Sequence, residues 1–291
     1  MADKMWFGIP TTHMQWVPCP SIDSAIQRNR YIERVRFENG GGDARRSPQY
    51  QMEYQLSFSG PAHEVEGIDS FNKFAQGFYG DGLIYLAHPA AYETNLFSAA
   101  WASPGLIEQG WANIGSTIPT FAATNTTTYG QPTRTATWNV SWEPNTYTKS
   151  FIIPIPPTHT LHIGASGVAT GTGVVRVVPI SDGVFQTPQD LTLLSKSAST
   201  RMNKTFSGSS YSAVQVHITR TSSAASTVSI TSMMAQLYKT GTTSALPTMH
   251  YQGEGSTGLV FADDAIVETY SYMHPPRKGI STTLLEVEAW R

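Results

Sequence analysis

A strict alternation of polar and apolar side chains over residues 48–58 is the feature that most restricts how this chain can fold. In PQYQMEYQLSF the large apolar residues stand at every second position, namely Tyr50, Met52, Tyr54, Leu56 and Phe58. Because successive side chains of a β-strand point to opposite faces, this period predicts a long strand with one buried face. The preceding segment YIERVRF (31–37) predicts a partner strand, and the glycine-rich stretch between the two predicts a hairpin turn.

The period then changes to that of an α-helix. Between residues 61 and 80 the apolar positions have helical spacing: Val65, Ile68, Phe71, Phe74, Ala75 and Phe78. Pro61 fits the first turn of a helix, and Gly77 or Gly80 can end it. The segment LIYLAHP (83–89) returns to a strand pattern. The N-terminal part is therefore predicted to form strands with one helix packed across them, its aromatic face in the core.

A second region, from about residue 112 to residue 246, is rich in Ser, Thr, Gly and Pro and has almost no helical periodicity. Short strand patterns recur in it between turn residues, at 134–142, 150–155, 159–165, 173–180, 211–219 and 226–238. Strands spaced by turn clusters over such a length predict a β-sandwich or jelly roll.

The last forty or so residues are too few to form a domain alone. We therefore predict a mainly β protein in which residues 1–108 and 248–291 form one split β-barrel or sandwich with one helix. Residues 109–247 are predicted to form a jelly-roll sandwich inserted into it, because insertions are tolerated where both junctions lie close together.

The composition excludes several function classes. Charged residues make up 14% of the 291 residues, against roughly 25% in an ordinary domain. The net charge of −2 gives no field that would attract nucleic acid. The opening segment MWFGIPTTHMQWVPCP is interrupted by prolines, so it predicts neither a signal peptide nor a membrane span, and synthesis in the cytoplasm is expected. Cys19 is the single cysteine, which excludes an internal disulfide and is more typical of a packing residue than of a reactive thiol.

No motif predicts catalysis, a metal or a cofactor. The segment GEGSTG (253–258) matches a dinucleotide-binding pattern, but no helix pattern follows it. His159 and His162 would face opposite sides of a strand and could not share a metal ion. The acidic residues of the Ser/Thr-rich region show no spacing that predicts a catalytic pair: Glu143, Asp182 and Asp190.

Three aromatic residues near predicted strand ends are candidates for stacking on sugar rings: Trp138, Trp142 and Tyr147. Carbohydrate-binding sites use exposed aromatic rings to stack on sugars. Trp138 and Trp142, however, are four residues apart in a predicted strand and share one face, which is more typical of a core. From the residues alone, the sequence predicts a structural or binding protein without deciding between the two.

The order of several segments resembles the minor tail proteins of long-tailed bacteriophages of actinobacteria, of the distal-tail-protein type. The matching segments extend from end to end of the chain: MWFGIP…MQWVPCP, GGGDARRSPQYQMEYQLSF, DSFNKFAQGFYGDGLIYLAHP, YGQPTRTATW, SFIIPIPP, NKTFSGSSYSAVQV, GEGSTGLVFA and LLEVEAW. None of these segments is a catalytic signature, and their order is the specific part of the resemblance.

The resemblance implies a structural protein of the virion at the distal end of the tail. It implies self-assembly into a ring, expected to be a hexamer, that joins the tail tube protein to tail-tip or baseplate proteins and the tape measure. It also implies a galectin-like or carbohydrate-binding-module-like sandwich facing outward, so a module that binds glycans of the host cell surface is the alternative function. A tail-associated glycan hydrolase is a third hypothesis.

The first residues of the chain are candidates for contact between subunits. Trp6, Phe7 and Trp16, held extended by neighbouring prolines, are predicted to form an edge strand and arm. This arm would pack on the N-terminal barrel or on a neighbouring subunit, so that replacing Trp6 and Trp16 by Ala would impair a ring.

Overall fold

A computed structural model describes residues 4–20, 25–36, 42–61, 66–87, 95–97, 102, 120–128, 131–147, 150–195, 202–242, 258–262, 267–271 and 277–286. Strands account for most of these residues and pack as sheets with buried apolar faces between them. The mainly β fold with a sandwich that the sequence predicts is confirmed.

The elements before residue 88 are β1 (Lys4–Ile9), β2 (His13–Pro18), β3 (Ala25–Arg36), β4 (Gly42–Pro61), α1 (Glu66–Ala75) and β5 (Tyr85–Ala87). Those of the Ser/Thr-rich region are β6 (Thr120–Thr128), β7 (Gln131–Val140), β8 (Phe151–Pro154), β9 (His159–Thr170), β10 (Gly173–Ser181), β11 (Val184–Phe185), β12 (Gln189–Leu191), β13 (Leu194–Ser195), β14 (Met202–Ser207), β15 (Ala213–Arg220) and β16 (Ser226–Lys239). The elements after residue 258 are β17 (Leu259–Phe261), β18 (Val267–Ser271) and β19 (Arg277–Glu286).

One sheet combines strands from both ends of the chain. Its order is β17-β19-β4-β3, with β18 also paired to β19. Strand β19 runs antiparallel to β4, with a register from Arg277 opposite Pro61 to Leu285 opposite Glu53. The last strand of the chain is thus hydrogen-bonded to an N-terminal strand. The predicted domain limits, at 108/109 and 247/248, lie outside the described residues and stay a prediction.

The core beside this sheet is built on the alternation from which the strand was predicted. Tyr54, Leu56 and Phe58 of β4 are buried while Gln55 is exposed, as a half-buried strand requires. The Phe71 ring of α1 lies 4.8 Å from the Phe58 ring, centroid to centroid. A strand face and a helix face therefore meet over aromatic contacts.

The helix is shorter than the apolar pattern predicts at both ends. It begins at Glu66, and the prediction of Pro61 in its first turn is wrong, because Pro61 is the last residue of β4. It ends at Ala75, and Gly77 follows with a φ of +70°, a left-handed conformation that favours glycine at a helix end. Phe78 was predicted to lie on the buried face, and this prediction is wrong: the residue lies beyond the helix and is 74% exposed. The left-handed glycine turns the chain away, so the helical period no longer applies to Phe78.

The Ser/Thr-rich region forms two facing sheets. Their orders are β11-β10-β15-β8, with β12 also on β10, and β13-β9-β16-β7-β6, with β14 also on β9. Apolar side chains from both sheets share one core, in which Trp138 of β7 is the largest fully buried side chain. One face of each sheet therefore lies in this core. Most residues on the opposite faces of β10, β15 and β16 are buried as well.

A small sheet, of order β2-β1-β5, lies between the two cores. Neighbouring residues of β1 point to opposite faces, so Trp6 belongs to the sandwich core and Phe7 to the core beneath α1. The prediction that the first residues form an edge strand is wrong for β1, which is hydrogen-bonded on both sides, to β2 and to β5. Strand β2 lies at the edge.

Among the described residues, no helix combines the length and the apolar character needed to cross a lipid bilayer.

Candidate functional site

The outer face of the sheet β11-β10-β15-β8 carries a cleft of about 630 Å³ that opens to solvent. Its lining comes from β10, β11 and β15, from β12, which also pairs with β10, and from the neighbouring loops: Asn145, Tyr147, Arg176, Val178, Phe185, Pro188, Asp190, Gln215 and His217. Clefts of this size accommodate small ligands or a few units of a polymer.

The floor of the cleft contains a row of polar residues across three strands. In the strand register, Arg176 of β10 stands opposite Asp190 of β12 on one side and opposite His217 of β15 on the other. Their side chains lie on the outer face because the residues adjacent to them in β10 and β15, Val175 and Val216 among them, fill the sandwich core. The register of the sheet alone thus brings these three side chains together.

Arg176 and Asp190 form a bidentate ion pair. The Arg176 Nε donates to Asp190 Oδ1 at 2.7 Å, and its second terminal nitrogen donates to Oδ2 at 2.9 Å. The remaining terminal nitrogen donates to the side-chain oxygen of Asn145 at 2.7 Å. The hydrogen bond to Asp190 raises the pKa of Arg176 above its usual value. The two charges cancel within the floor of the cleft, and the fork geometry fixes both groups.

His217 is buried and is kept uncharged. Only 2% of the residue is exposed, and neither ring nitrogen has a hydrogen-bond partner within the part of the chain that the structure describes. Burial, and then the positive charge of Arg176, lower the pKa of His217 to about 4. The imidazole is therefore neutral at pH 7.

The Tyr147 ring covers His217. The two ring centroids are 4.2 Å apart with 30° between the planes. Gln215 Nε2 donates to the Tyr147 hydroxyl at 2.8 Å and to Ser150 Oγ at 3.0 Å. Tyr147 is thus held at its ring and at its hydroxyl, while 42% of the residue remains exposed.

Arg220 holds the segment that carries Tyr147. This residue is 9% exposed, and its guanidinium donates to the carbonyl oxygens of Trp142 at 2.6 Å and Ser141 at 3.0 Å. It also donates to two carbonyls of the next loop, Ser223 at 2.9 Å and Ala224 at 3.2 Å. Residues 141–147 are consequently fixed to the end of β15 before any ligand is present.

A second exposed ring stands on the other rim. Phe185, in the short strand β11, lines the cleft and is 47% exposed. Its strand is the second arm of a tight hairpin with β10, in which Ile180 stands opposite Phe185. Of the five large hydrophobic side chains that are exposed among the described residues, Tyr147 and Phe185 both border this cleft. The site thus offers aromatic faces on its rims and fixed hydrogen-bonding groups on its floor.

Of the three residues predicted to stack on sugar rings, the structure brings one to the cleft. Tyr147 lines it. Trp142 is half-buried, packs against the sandwich core and donates its indole N–H to the Thr146 carbonyl at 3.1 Å. Trp138 is 0% exposed, so a stacking role for this residue is wrong: its side chain points from β7 into the core.

The three docking candidates belong to the chain's own packing. Trp6 is 7% exposed and meets Trp16 edge to face, with ring centroids 5.2 Å apart. Phe7 is fully buried, 4.5 Å from the Phe71 ring. Neither Trp6 nor Phe7 presents its ring to a neighbouring subunit, which corrects that part of the prediction. Trp16, half-buried on the edge strand β2, stays a candidate.

The other candidate residues do not form a site together. Of the three acids that were considered as a catalytic pair, Asp190 lines the cleft and is paired with Arg176, whereas Asp182 borders a separate, smaller cleft beside the β1–β2 turn. Within the described segments, no group of three His, Cys, Asp or Glu side chains is placed to hold a metal ion. Cys19 packs against the core beneath α1. Most of GEGSTG lies outside the described residues.

Most residues of the cleft were not predicted from the sequence. Arg176, Gln215, His217 and Phe185 were not singled out, although a signal for the first three is present. Arg176 interrupts the apolar run GVVRVVPI, and Gln215 and His217 alternate with valine and isoleucine in AVQVHIT. Polar residues at every second position of an apolar strand mark an outer face that carries hydrogen-bonding groups. No such signal exists for Phe185.

Comparison with known proteins identifies no family. No family model and no curated protein match the chain. Among solved structures, the chain is similar to the CBM22-1 xylan-binding domain of Paenibacillus barcinonensis Xyn10C, with 14% identity over 50% of this chain and 94% of that domain, and a TM-score of 0.31. A structure described under CBM4 structure and function has 14% identity over 43% and 85%, with a TM-score of 0.21.

A third structure comes from work on the promiscuous specificity of carbohydrate-binding modules of the β-sandwich superfamily. It has 10% identity over 82% of this chain and all of the other, with a TM-score of 0.27. Values this low do not establish a shared fold, and the function is therefore inferred from the chain's own geometry.

Proposed function

We propose that the β-sandwich of this protein is a glycan-binding module and that the cleft on the outer face of β11-β10-β15-β8 is its ligand site. The observation that carries this proposal is the pair of exposed rings, Tyr147 and Phe185, on the rims of a cleft with a polar floor. Pyranose rings present apolar C–H faces and hydroxyl edges. The aromatic rims match the apolar C–H faces. The floor of Arg176, Asp190 and Gln215 matches the hydroxyl edges.

The rigidity of the site supports the same proposal. Sugars bind weakly because their hydroxyls exchange water for protein partners with little net gain. A site that is already ordered loses less conformational entropy on binding. The anchoring of residues 141–147 by Arg220, and of Tyr147 by Gln215 and His217, provides this order.

Binding can be tested with the full chain on a glycan array, followed by titration calorimetry of any hit. We expect Tyr147→Ala and Phe185→Ala each to weaken binding by about fivefold or more, because a stacked ring contributes about 1–3 kcal/mol when base-stacking aromatics are replaced by alanine. Phe78→Ala is the matched control, since Phe78 is also an exposed ring but does not line the cleft. Absence of binding to every glycan, or equal loss in all three variants, would refute the proposal.

We further propose that this module is carried on a structural protein of a phage tail tip, as the sequence resemblance implies. Two observations support this: the order of the matching segments and the pairing of β19 with β4. In the sequence, the sandwich strands lie between the segments that contribute β4 and β19 to one sheet. The alternative is that the same glycan-binding module belongs to a protein that acts alone and does not assemble into a tail tip.

Electron microscopy and native mass spectrometry of the full chain, alone and with a tail tube protein, test the tail-tip proposal. Rings of defined stoichiometry are expected, and a monomer under both conditions would contradict it. Trp6→Ala is unsuited to this test because Trp6 is buried within its own chain. Trp16→Ala is the better variant, with unfolding measured in parallel.

A further inference from the structure

We propose that the cleft selects uncharged glycans, and that the Arg176–Asp190 ion pair sets this selectivity by cancelling its own charge. This inference rests on the proposed glycan-binding function and adds the substrate class: a chain of neutral sugars, in preference to one of uronic acids or phosphate-bearing units. Among the residues that line the cleft, Arg176, Asp190 and His217 are the ones that decide its charge.

The charges of these three groups sum to zero at neutral pH. Of the five N–H donors of Arg176, two bond to Asp190 and one bonds to Asn145, so the positive charge is balanced by the paired carboxylate. His217 contributes no charge, because burial and Arg176 hold its pKa at about 4. On binding, the carboxylate or phosphate of an anionic sugar would lose its water without gaining an unpaired cation as a partner. Binding of anionic sugars is therefore disfavoured.

The groups that remain available suit hydroxyls. The Asp190 side chain is 27% exposed and keeps acceptor capacity beyond its bonds to Arg176. Asn145, exposed in the loop above it, is held there by the hydrogen bond from Arg176. The Tyr147 hydroxyl accepts from Gln215 and retains its own hydrogen for donation. Fixed acceptors and donors of this kind recognise neutral hydroxyl groups.

The test compares neutral and anionic probes on the full-length chain. Hexasaccharides of glucose, xylose, mannose and galactose serve as neutral probes, and hexagalacturonate serves as the anionic probe. We expect binding of at least one neutral probe and at least tenfold weaker binding of hexagalacturonate. Wild-type protein that binds hexagalacturonate as tightly as any neutral probe overturns this inference and leaves the proposed function standing. Wild-type protein that binds no glycan overturns both.

Asp190→Asn tests the mechanism of selection. An amide oxygen can still accept from Arg176, but the negative charge is gone, so affinity for hexagalacturonate should rise by about tenfold and the gain should vanish at high salt. Asp182→Asn is the matched control: it changes the net charge equally, outside the cleft, at a left-handed residue (φ 49°) where Asn is tolerated. No gain in folded Asp190→Asn protein, or an equal gain in the control, overturns the role of the ion pair.

If Asp190→Asn does not fold, the double variant Arg176→Gln/Asp190→Asn replaces it. This variant keeps the cleft polar and uncharged. It should retain the preference for the neutral probe, and a shift towards hexagalacturonate would contradict selection by charge balance.

Discussion

Replacement of Arg220 by methionine should detach the loop that carries Tyr147 and destabilise the sandwich at once. Arg220 is 9% exposed, and its guanidinium donates to the carbonyls of Trp142, Ser141, Ser223 and Ala224 at 2.6–3.2 Å. Methionine fills much of the same space but donates nothing, so each of the four carbonyls loses this donor, and the Ala224 carbonyl keeps its bond from the Ser226 hydroxyl.

The magnitude follows from the number and kind of bonds lost. A hydrogen bond contributes about 1 kcal/mol net, and one to a charged group about 1.5–3 kcal/mol. The carbonyls lie near the surface and regain water once the loop moves, which offsets part of the loss. We expect the free energy of unfolding to fall by roughly 3–5 kcal/mol, equivalent to a melting temperature lowered by roughly 6–20 °C for a unit of this size.

Chemical denaturation, read by circular dichroism and fluorescence, measures the stability change, and calorimetry of the folded variant measures glycan affinity. Both should fall, because Tyr147 loses its fixed position. Lys204→Met is the control, since Lys204 is an exposed cation on β14. A denaturation midpoint for Arg220→Met that matches this control would refute the assignment of Arg220 as the anchor of the loop.

Three further predictions concern groups whose environment is equally well defined. The pKa of His217 is about 4 in the folded protein against 6.5 in a model peptide, so the unfolded chain binds a proton that the folded chain does not between these values. The free energy of unfolding should therefore fall as pH is lowered from about 6.5 to about 4, by up to roughly 3 kcal/mol, and denaturation of His217→Phe should lack this part of the pH dependence. Trp138→Ala should lower the free energy of unfolding by about 3–5 kcal/mol, whereas Trp138→Phe protein that folds should keep its glycan affinity, and loss of affinity would restore a binding role for the ring. Gly183→Ala should cost about 1–3 kcal/mol, because φ is +78° and the added Cβ would lie 2.4 Å from the Thr11 carbonyl oxygen; Gly241→Ala, with φ +91° and open space around it, measures the backbone strain alone.

The strands of this protein could be predicted from alternation where one face is buried, and from apolar runs between turn residues elsewhere. Residues 53–58 of β4 follow the alternation of their sequence, whereas β9, β10, β15 and β16 are buried on both faces over most of their length. The short strands β11 to β13 could not be predicted, because two or three residues are too few to define a period. Phe78 was misplaced because a helical period gives no information about where the left-handed Gly77 ends the helix.

The cleft could be predicted only in part, for a related reason. Alternation along one strand tells which residues share a face, but not which residue of the next strand stands beside them. Tyr147 was identified because an exposed aromatic near a strand end is conspicuous, whereas Trp138, with the same chemistry, proved to be core. Both residues are aromatic, so residue type does not distinguish them. Whether each is buried depends on which sheet covers its segment.

The sequence by itself determined the mainly β class, the half-buried part of β4, the presence of one helix after it and the absence of strong charge, because each follows from local periodicity or from composition. Only the tertiary structure decided that β19 pairs with β4, that Trp6 and Phe7 serve different cores, and that Asp190, Arg176 and His217 form one row. These relations depend on strand order and register between segments far apart in the chain. Hydrogen bonding and packing of the whole fold select them, and no local pattern encodes them.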